Sequence, residues 1–149
     1  MKPLLWDAHS CVPLHRDADL NILRRHLACG YSFVSINVGM DFNPLDQILS
    51  VLASFRRQIS DSTFMIAAHS TDDVVYAHRE GLLAVAFDLE GSRPLLDSPE
   101  MVEIYWELGV RQMHLAYNRN NSVAGGCHDV AQGLTDMGKD VVRMINSIG

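Results

Sequence analysis

The run Leu82-Leu83-Ala84-Val85-Ala86-Phe87-Asp88-Leu89-Glu90, bounded by Gly81 and Gly91, constrains this chain more than any other segment. A half-exposed strand alternates apolar and polar residues. A nearly unbroken apolar run of this length reads as a strand buried on both faces, the pattern of a parallel sheet under helices. Glu90 stands at its tip. Taking an ionised carboxylate out of water costs on the order of several kcal/mol unless it is paired. Glu90 therefore points to a metal, a base or a substrate, and the competing reading is a surface carboxylate just past the strand end.

The same strand recurs within an alternation that runs the length of the chain. Apolar, β-branched or aromatic stretches at 3–8, 31–38, 63–68, 82–90 and 110–117 read as strands. Helical patterns lie between them. One spans 17–29, with acidic residues in its first turn and Gly30 as its stop. Another opens at Asn43-Pro44 and carries Ile48, Leu49, Leu52, Phe55 and Ile59 as its apolar stripe. Others run from Thr71 to Gly81, from Ser98 to Gly109 and over 135–148, the last after a polar loop at 118–133. About five βα units without a linker predict an α/β fold in one domain over 1–149, with a parallel sheet and right-handed crossovers. A doubly wound sheet and part of a (β/α)8 TIM-type barrel both fit, and in both the chemistry gathers beyond the carboxyl ends of the strands.

Charge and motifs narrow the options. The 149 residues carry a formal net charge of −6, with no cluster of Lys and Arg, which argues against a nucleic-acid surface. No segment is long enough for a membrane span, and Met1 to Asp7 is too short for a signal peptide. Three widely spaced cysteines, Cys11, Cys29 and Cys127, do not make a disulfide framework, so a reducing, cytoplasmic setting is expected. The absence of a Walker loop, a Gly-x-Gly-x-x-Gly turn, a Gly-x-Ser-x-Gly elbow and a Cys-x-x-Cys pair weakens nucleotide, serine-hydrolase and thioredoxin-like readings.

The polar residues at the strand ends form a set. His9 and Cys11 lie two apart, so a regular strand turns both to one side, where imidazole and thiolate are a chelating pair for zinc. On the pair alone an incidental pairing is the commoner reading. Asp88 and Glu90 share a face in the same way, and a backbone-bonded Asp88 is the ordinary alternative. His69 follows the third strand and reads as a second-sphere or substrate group, or more commonly as a loop histidine that helps to cap a helix. His114 reads as a core histidine. The asparagines at 118, 120 and 121 are ordinary turn formers, and Cys127-His128 can be read as a metal-adjacent pair.

Taken in order, Asp7-Ala8-His9, Leu89-Glu90-Gly91, Leu108 to Leu115, Asn118 to Asn121 and Gly133 to Val142 resemble the renal (membrane) dipeptidases. These are zinc peptidases of the amidohydrolase type. The resemblance implies a (β/α)8 barrel, zinc as cofactor with two ions bridged by a carboxylate, and hydrolysis of small dipeptides by a hydroxide shared between the metals. By motif position it implies His9 and Cys11 as metal ligands and Glu90 as the bridging, catalytic carboxylate. Tyr117, Asn118 and His69 are then the expected substrate contacts, with Tyr117 also catalytic.

This sequence departs from the family pattern in three places. Cys11 stands where the family usually has Asp, and a thiolate there alters metal affinity and water acidity or leaves a degenerate site. Tyr117 stands where the family has a histidine, so a phenol replaces an imidazole. The strand Asp-x-Ser-His that follows in the family, and a later ligand histidine, lie past Gly149. The chain is therefore expected to be the N-terminal part of a longer barrel enzyme and to be poorly folded and inactive alone. Its expected partners are a dipeptide and the remainder of the barrel, with a homodimer admitted and no nucleic acid or membrane. Two alternatives stay open. One is a catalytically decayed barrel that binds a small molecule, and the other is an independent flavodoxin-like domain with an anion site at a helix N-terminus.

Overall fold

A computed structural model describes residues 3–148. Five strands, β1 (Leu5–Ser10), β2 (Tyr31–Met40), β3 (Met65–Ala67), β4 (Leu83–Glu90) and β5 (Val110–Met113), form one parallel sheet. Between them lie α1 (Arg24–Ala28), α2 (Leu45–Ser60), α3 (Thr71–Glu80) and α4 (Met101–Glu107), and α5 (Asp136–Ile148) follows.

The apolar run places β4 at the centre, and all eight of its residues are buried. One edge of β4 pairs with β2, which in turn pairs with β1. The other edge is shared. β3 sits opposite Leu83, Ala84 and Val85, and β5 sits opposite Phe87, Asp88 and Leu89. The five expected parallel strands with helices between them are present, but they are not all side by side. At the carboxyl end of the sheet the strands side by side are β1, β2, β4 and β5, and β3 stops lower down.

Handedness explains where the helices go. The chain moves outward from β2 to β3 and then back to β4, so right-handed crossovers must use opposite faces of the sheet. The buried stripe of α2 (Ile48, Val51, Leu52, Phe55, Ile59) packs on one face with Val34, Ile36, Val38, Val85, Phe87 and Leu89. Val74 and Ala77 of α3 pack on the other with Phe33, Ala84 and Ala86. The next outward step, from β4 to β5, returns Val102 and Tyr105 of α4 to the α2 side. Ser70 and Asp73 close a capping box at the start of α3, and Gly81 ends it in the left-handed region.

Boundaries differ from the sequence reading where side-chain hydrogen bonds compete with propensity. The helix expected over 17–29 is a 3-10 turn, Leu20–Leu23, capped by Asp19, followed by the five-residue α1. The strand expected to reach Tyr117 ends at Met113, because the Leu115 carbonyl and the Tyr117 N–H are taken by side chains of other loops.

Candidate metal centre

The site begins with an irregularity in β1. Asp7 lies opposite Val34 and Ser10 opposite Ile36, so β1 takes three steps where β2 takes two. Such a bulge re-aims a side chain. Trp6 stacks on Phe33 at 4.0 Å, and His9, three residues on, is turned over the same face of the sheet. His9 then reaches across β2 to β4. Its Nδ1 lies 2.9 Å from Asp88 Oδ1, and its Nε2 lies 2.6 Å from Glu90 Oε1. Cys11 Sγ completes a triangle, 3.6 Å from His9 Nε2 and 3.9 Å from Glu90 Oε1. His9, Cys11 and Glu90 are thus brought together, with one ligand atom from each within 4.8 Å of the others. Glu90 is 5% exposed, which removes the reading of a surface carboxylate.

The protonation logic of His9 favours a cation. Asp88 is 1% exposed, accepts from Ser35 Oγ at 2.6 Å, and offers its other oxygen to His9 Nδ1. A proton on Nδ1 leaves a lone pair on Nε2, facing the lone pairs of Glu90 Oε1 at 2.6 Å. Two acceptors at that distance repel unless a proton or a metal ion lies between them. A carboxylate holding the far nitrogen of a ligating histidine is the usual outer support of a metal site. Ligands on a tetrahedral zinc stand roughly 3.5 Å apart, given Zn–N near 2.0 Å and Zn–S near 2.3 Å. The two sulfur distances already match, so the donor set fits such an ion.

Burial first, and then the Ser35 and His9 contacts opposing it, leaves the Asp88 carboxyl above its ordinary range. The Cys11 thiol is also pushed up, by burial and then by the charges of Glu90 and Asp88. A divalent cation among these groups supplies the missing positive charge.

The remaining expected residues lie elsewhere. His69 is not brought to the cluster: β3 ends with Ala67 opposite Val85, so His69, two residues on, falls about three residues short of Glu90, roughly 10 Å along the strand. His69 instead donates its N–H to Asp73 in the α3 cap, and its Nδ1 and carbonyl meet Arg111. Tyr117 packs against Phe42, with ring centres 5.9 Å apart, and its N–H reaches Asp41 Oδ2 at 3.1 Å. Asp41 in turn donates its N–H to the Glu90 carbonyl at 3.1 Å, so Tyr117 is one residue removed from the carboxylate strand. Asn118 takes a left-handed turn at φ 60°, its carbonyl accepts from His128 N–H, and its side chain accepts from the Cys127 thiol.

Sequence reasoning missed several participants. His114 is exposed rather than in the core, and its ring centre lies 5.9 Å from that of His9. Ser35 donates to Asp88, and the buried Asn37 lies opposite Asp88 in register. Their signal was legible, since two polar residues alternate with Val34, Ile36 and Val38 inside a buried strand. Asp41 joins the loops after β2, β4 and β5, accepting from Arg93 N–H, Tyr117 N–H and Asn121 Nδ2.

The structure is a parallel α/β sheet with a histidine, a thiol and a buried carboxylate converging beyond its carboxyl ends. The sequence model of the membrane dipeptidase family, peptidase family M19, matches residues 11–149, and the chain belongs to that family. Among sequence relatives, Dipeptidase tcpJ of Claviceps purpurea (strain 20.1) is 36% identical over 88 residues, covering 57% of this chain and 21% of that protein. Among solved structures, an amidohydrolase from Pseudomonas aeruginosa superposes with a TM-score of 0.85 at 20% identity, covering 98% of this chain and 44% of that one. A metallo peptidase from Rhodobacter sphaeroides, solved with a phosphinate mimic of the dipeptide L-Ala-D-Ala, gives a TM-score of 0.74 at 15% identity over 97% of this chain and 56% of that one. These likenesses fix the fold as that of such barrels, and the chain spans about half their length.

Proposed function

We propose that this chain supplies part of the active site of a zinc-dependent dipeptidase, with His9, Cys11 and Glu90 as metal ligands. The observation that supports this best is the unshared contact between His9 Nε2 and the buried Glu90 carboxylate, with Cys11 Sγ at the third corner. His9, Cys11 and Glu90 would hold zinc, which when bound would supply Lewis-acid polarisation of a peptide carbonyl and a more acidic water. Asp88 holds the His9 ring in the tautomer that leaves Nε2 free. Burial keeps bulk water from the Glu90 side chain, and the Asp41 hydrogen bonds hold the Tyr117 backbone next to the strand end. Tyr117 offers a phenol to a bound dipeptide, and Asn118 shapes the turn beyond it. Residues beyond this chain's four site-level strands complete the ligand set. Three exposed free cysteines suit a reducing cytoplasmic setting, and among the described residues no helix is long and apolar enough to cross a membrane.

Cobalt titration of the chain tests the site. The expected result is a thiolate-to-cobalt absorption band that Cys11→Ala abolishes, together with dipeptide turnover in the longer protein that Glu90→Gln abolishes. A protein that takes up no divalent metal at neutral pH would overturn the reading. Metal uptake without turnover would instead favour a decayed barrel that binds small molecules, a reading that Cys11 and Tyr117 keep open.

A further inference from the structure

Asn37 is fully buried and its Nδ2 has no hydrogen-bond partner. An orphaned donor of this kind costs about 1–3 kcal/mol, and native structures rarely keep one without a reason. Its orientation is fixed, because Oδ1 accepts from Gly39 N–H at 2.7 Å and the reverse placement would set two donors against each other. Its position is equally defined. β2 lies between β1 and β4, and His9 of β1 must cross over β2 to meet Asp88 and Glu90 of β4. On that face β2 offers Ser35 and then Asn37, and Asn37 lies opposite Asp88 in register. Ser35 is used by Asp88. Asn37 is the next residue up, beneath the side where His9 Nε2, Cys11 Sγ and Glu90 Oε1 converge.

We propose that Asn37 is a positioning residue of the metal centre, its side-chain N–H holding a water molecule against the His9–Cys11–Glu90 group from the floor of the site. The inference rests on the metal-binding reading above. The donor is present and buried before any ligand arrives, on the residue opposite Asp88, which suits a site that must orient solvent without reorganising. Water is the occupant that this chemistry selects, since it accepts from Asn37 and still offers a lone pair to a cation. The metal-free state carries the penalty of the orphan, and loading the site relieves it.

Two measurements on the longer protein that carries the whole barrel test this. Asn37→Leu keeps the volume and removes the polar atoms. Its zinc affinity, by competition with a chromophoric chelator, is expected to fall about 10–100-fold, as for other outer-sphere partners of metal ligands. Its metal-free melting temperature is expected to hold, because removing the orphaned Nδ2 offsets the Gly39 N–H left without its acceptor. A variant that loses metal-free stability while binding zinc normally would overturn the proposal and make Asn37 a purely structural residue. The second measurement needs no variant. In the ¹⁵N spectrum of the unaltered protein, zinc addition is expected to shift the Asn37 side-chain amide and slow its exchange. Zinc binding shown by the chelator with that resonance unmoved would overturn the proposal alone. Failure of the unaltered longer protein to bind zinc would overturn the metal-binding reading, and this inference with it.

Discussion

At the scale of single residues, the thiol and the buried aspartate make opposite demands that a metal ion reconciles. The Cys11 thiol is raised by burial and by neighbouring carboxylates, so it stays protonated through neutral pH in the metal-free protein. Binding as thiolate must therefore release a proton, and apparent affinity should climb about tenfold per pH unit while that proton remains to be displaced. Zinc titrations at pH 6, 7 and 8 are expected to show that slope, and Cys11→Asp is expected to flatten it. Asp88 gives the complementary prediction. Its carboxyl ionises at higher pH in the fold than in the unfolded chain. Its stabilising contribution is therefore complete in acid, below the unfolded value, and is lost as pH rises through the folded one. Asp88→Asn should raise the metal-free melting temperature at neutral pH, have little effect in acid, and weaken zinc binding about 10–100-fold because it loosens the hold on His9. Lower metal-free stability at pH 7 would refute this account of Asp88.

Among the elements, the loops after β2, β4 and β5 are held by Asp41, with Asn121 and Ser92 beside it. Asn121 Nδ2 lies 3.0 Å from Asp41 Oδ2, 3.1 Å from Ser92 Oγ and 2.9 Å from the Leu115 carbonyl. Gly91 is required next to this knot. Its φ is +120°, and a Cβ there would collide with the Asp41 carboxylate. Asp41→Ala should cost about 3 kcal/mol in urea unfolding, because it strands several donors at once. An effect under about 1 kcal/mol would show that the loops are held by something else. These same loops mark the boundary of what the sequence could tell. The buried run of β4 was readable because an apolar stretch has one dominant cause, and His9, Cys11 and Glu90 followed from strand ends. His69 did not belong with them, because periodicity reveals that a strand exists and not how far along its neighbour it ends. Asp41 and Asn121 looked like ordinary turn formers, and only the pairing of loops distant in sequence gives them their role.

For the molecule as a whole, the sheet has two open sides. Among the described residues β1 pairs only with β2, and the upper edge of β4 is closed only by the four-residue β5. Trp6 lies at the β1 edge and is 51% exposed. It also lines, with Phe33, Val74, Ala86, Trp106 and Arg111, a cavity of about 460 Å³ on the face that carries the metal centre. In a closed barrel those edges are paired. In this chain by itself they are an unprotected template for strand pairing. The chain alone is therefore expected to associate reversibly as concentration rises through about 1–100 µM, the range in which exposed strand edges and apolar surface drive assembly. Trp6→Lys places a charge at the centre of the open edge and face, away from the α2 core. Sedimentation velocity should show it shifting the chain toward monomer, and a polypeptide carrying the remaining βα units of the barrel should do the same by capping both edges. A chain that stays monomeric across that range and unfolds in one cooperative transition would mean that five strands and the helices over them suffice as a domain. Trp6 would then need another explanation.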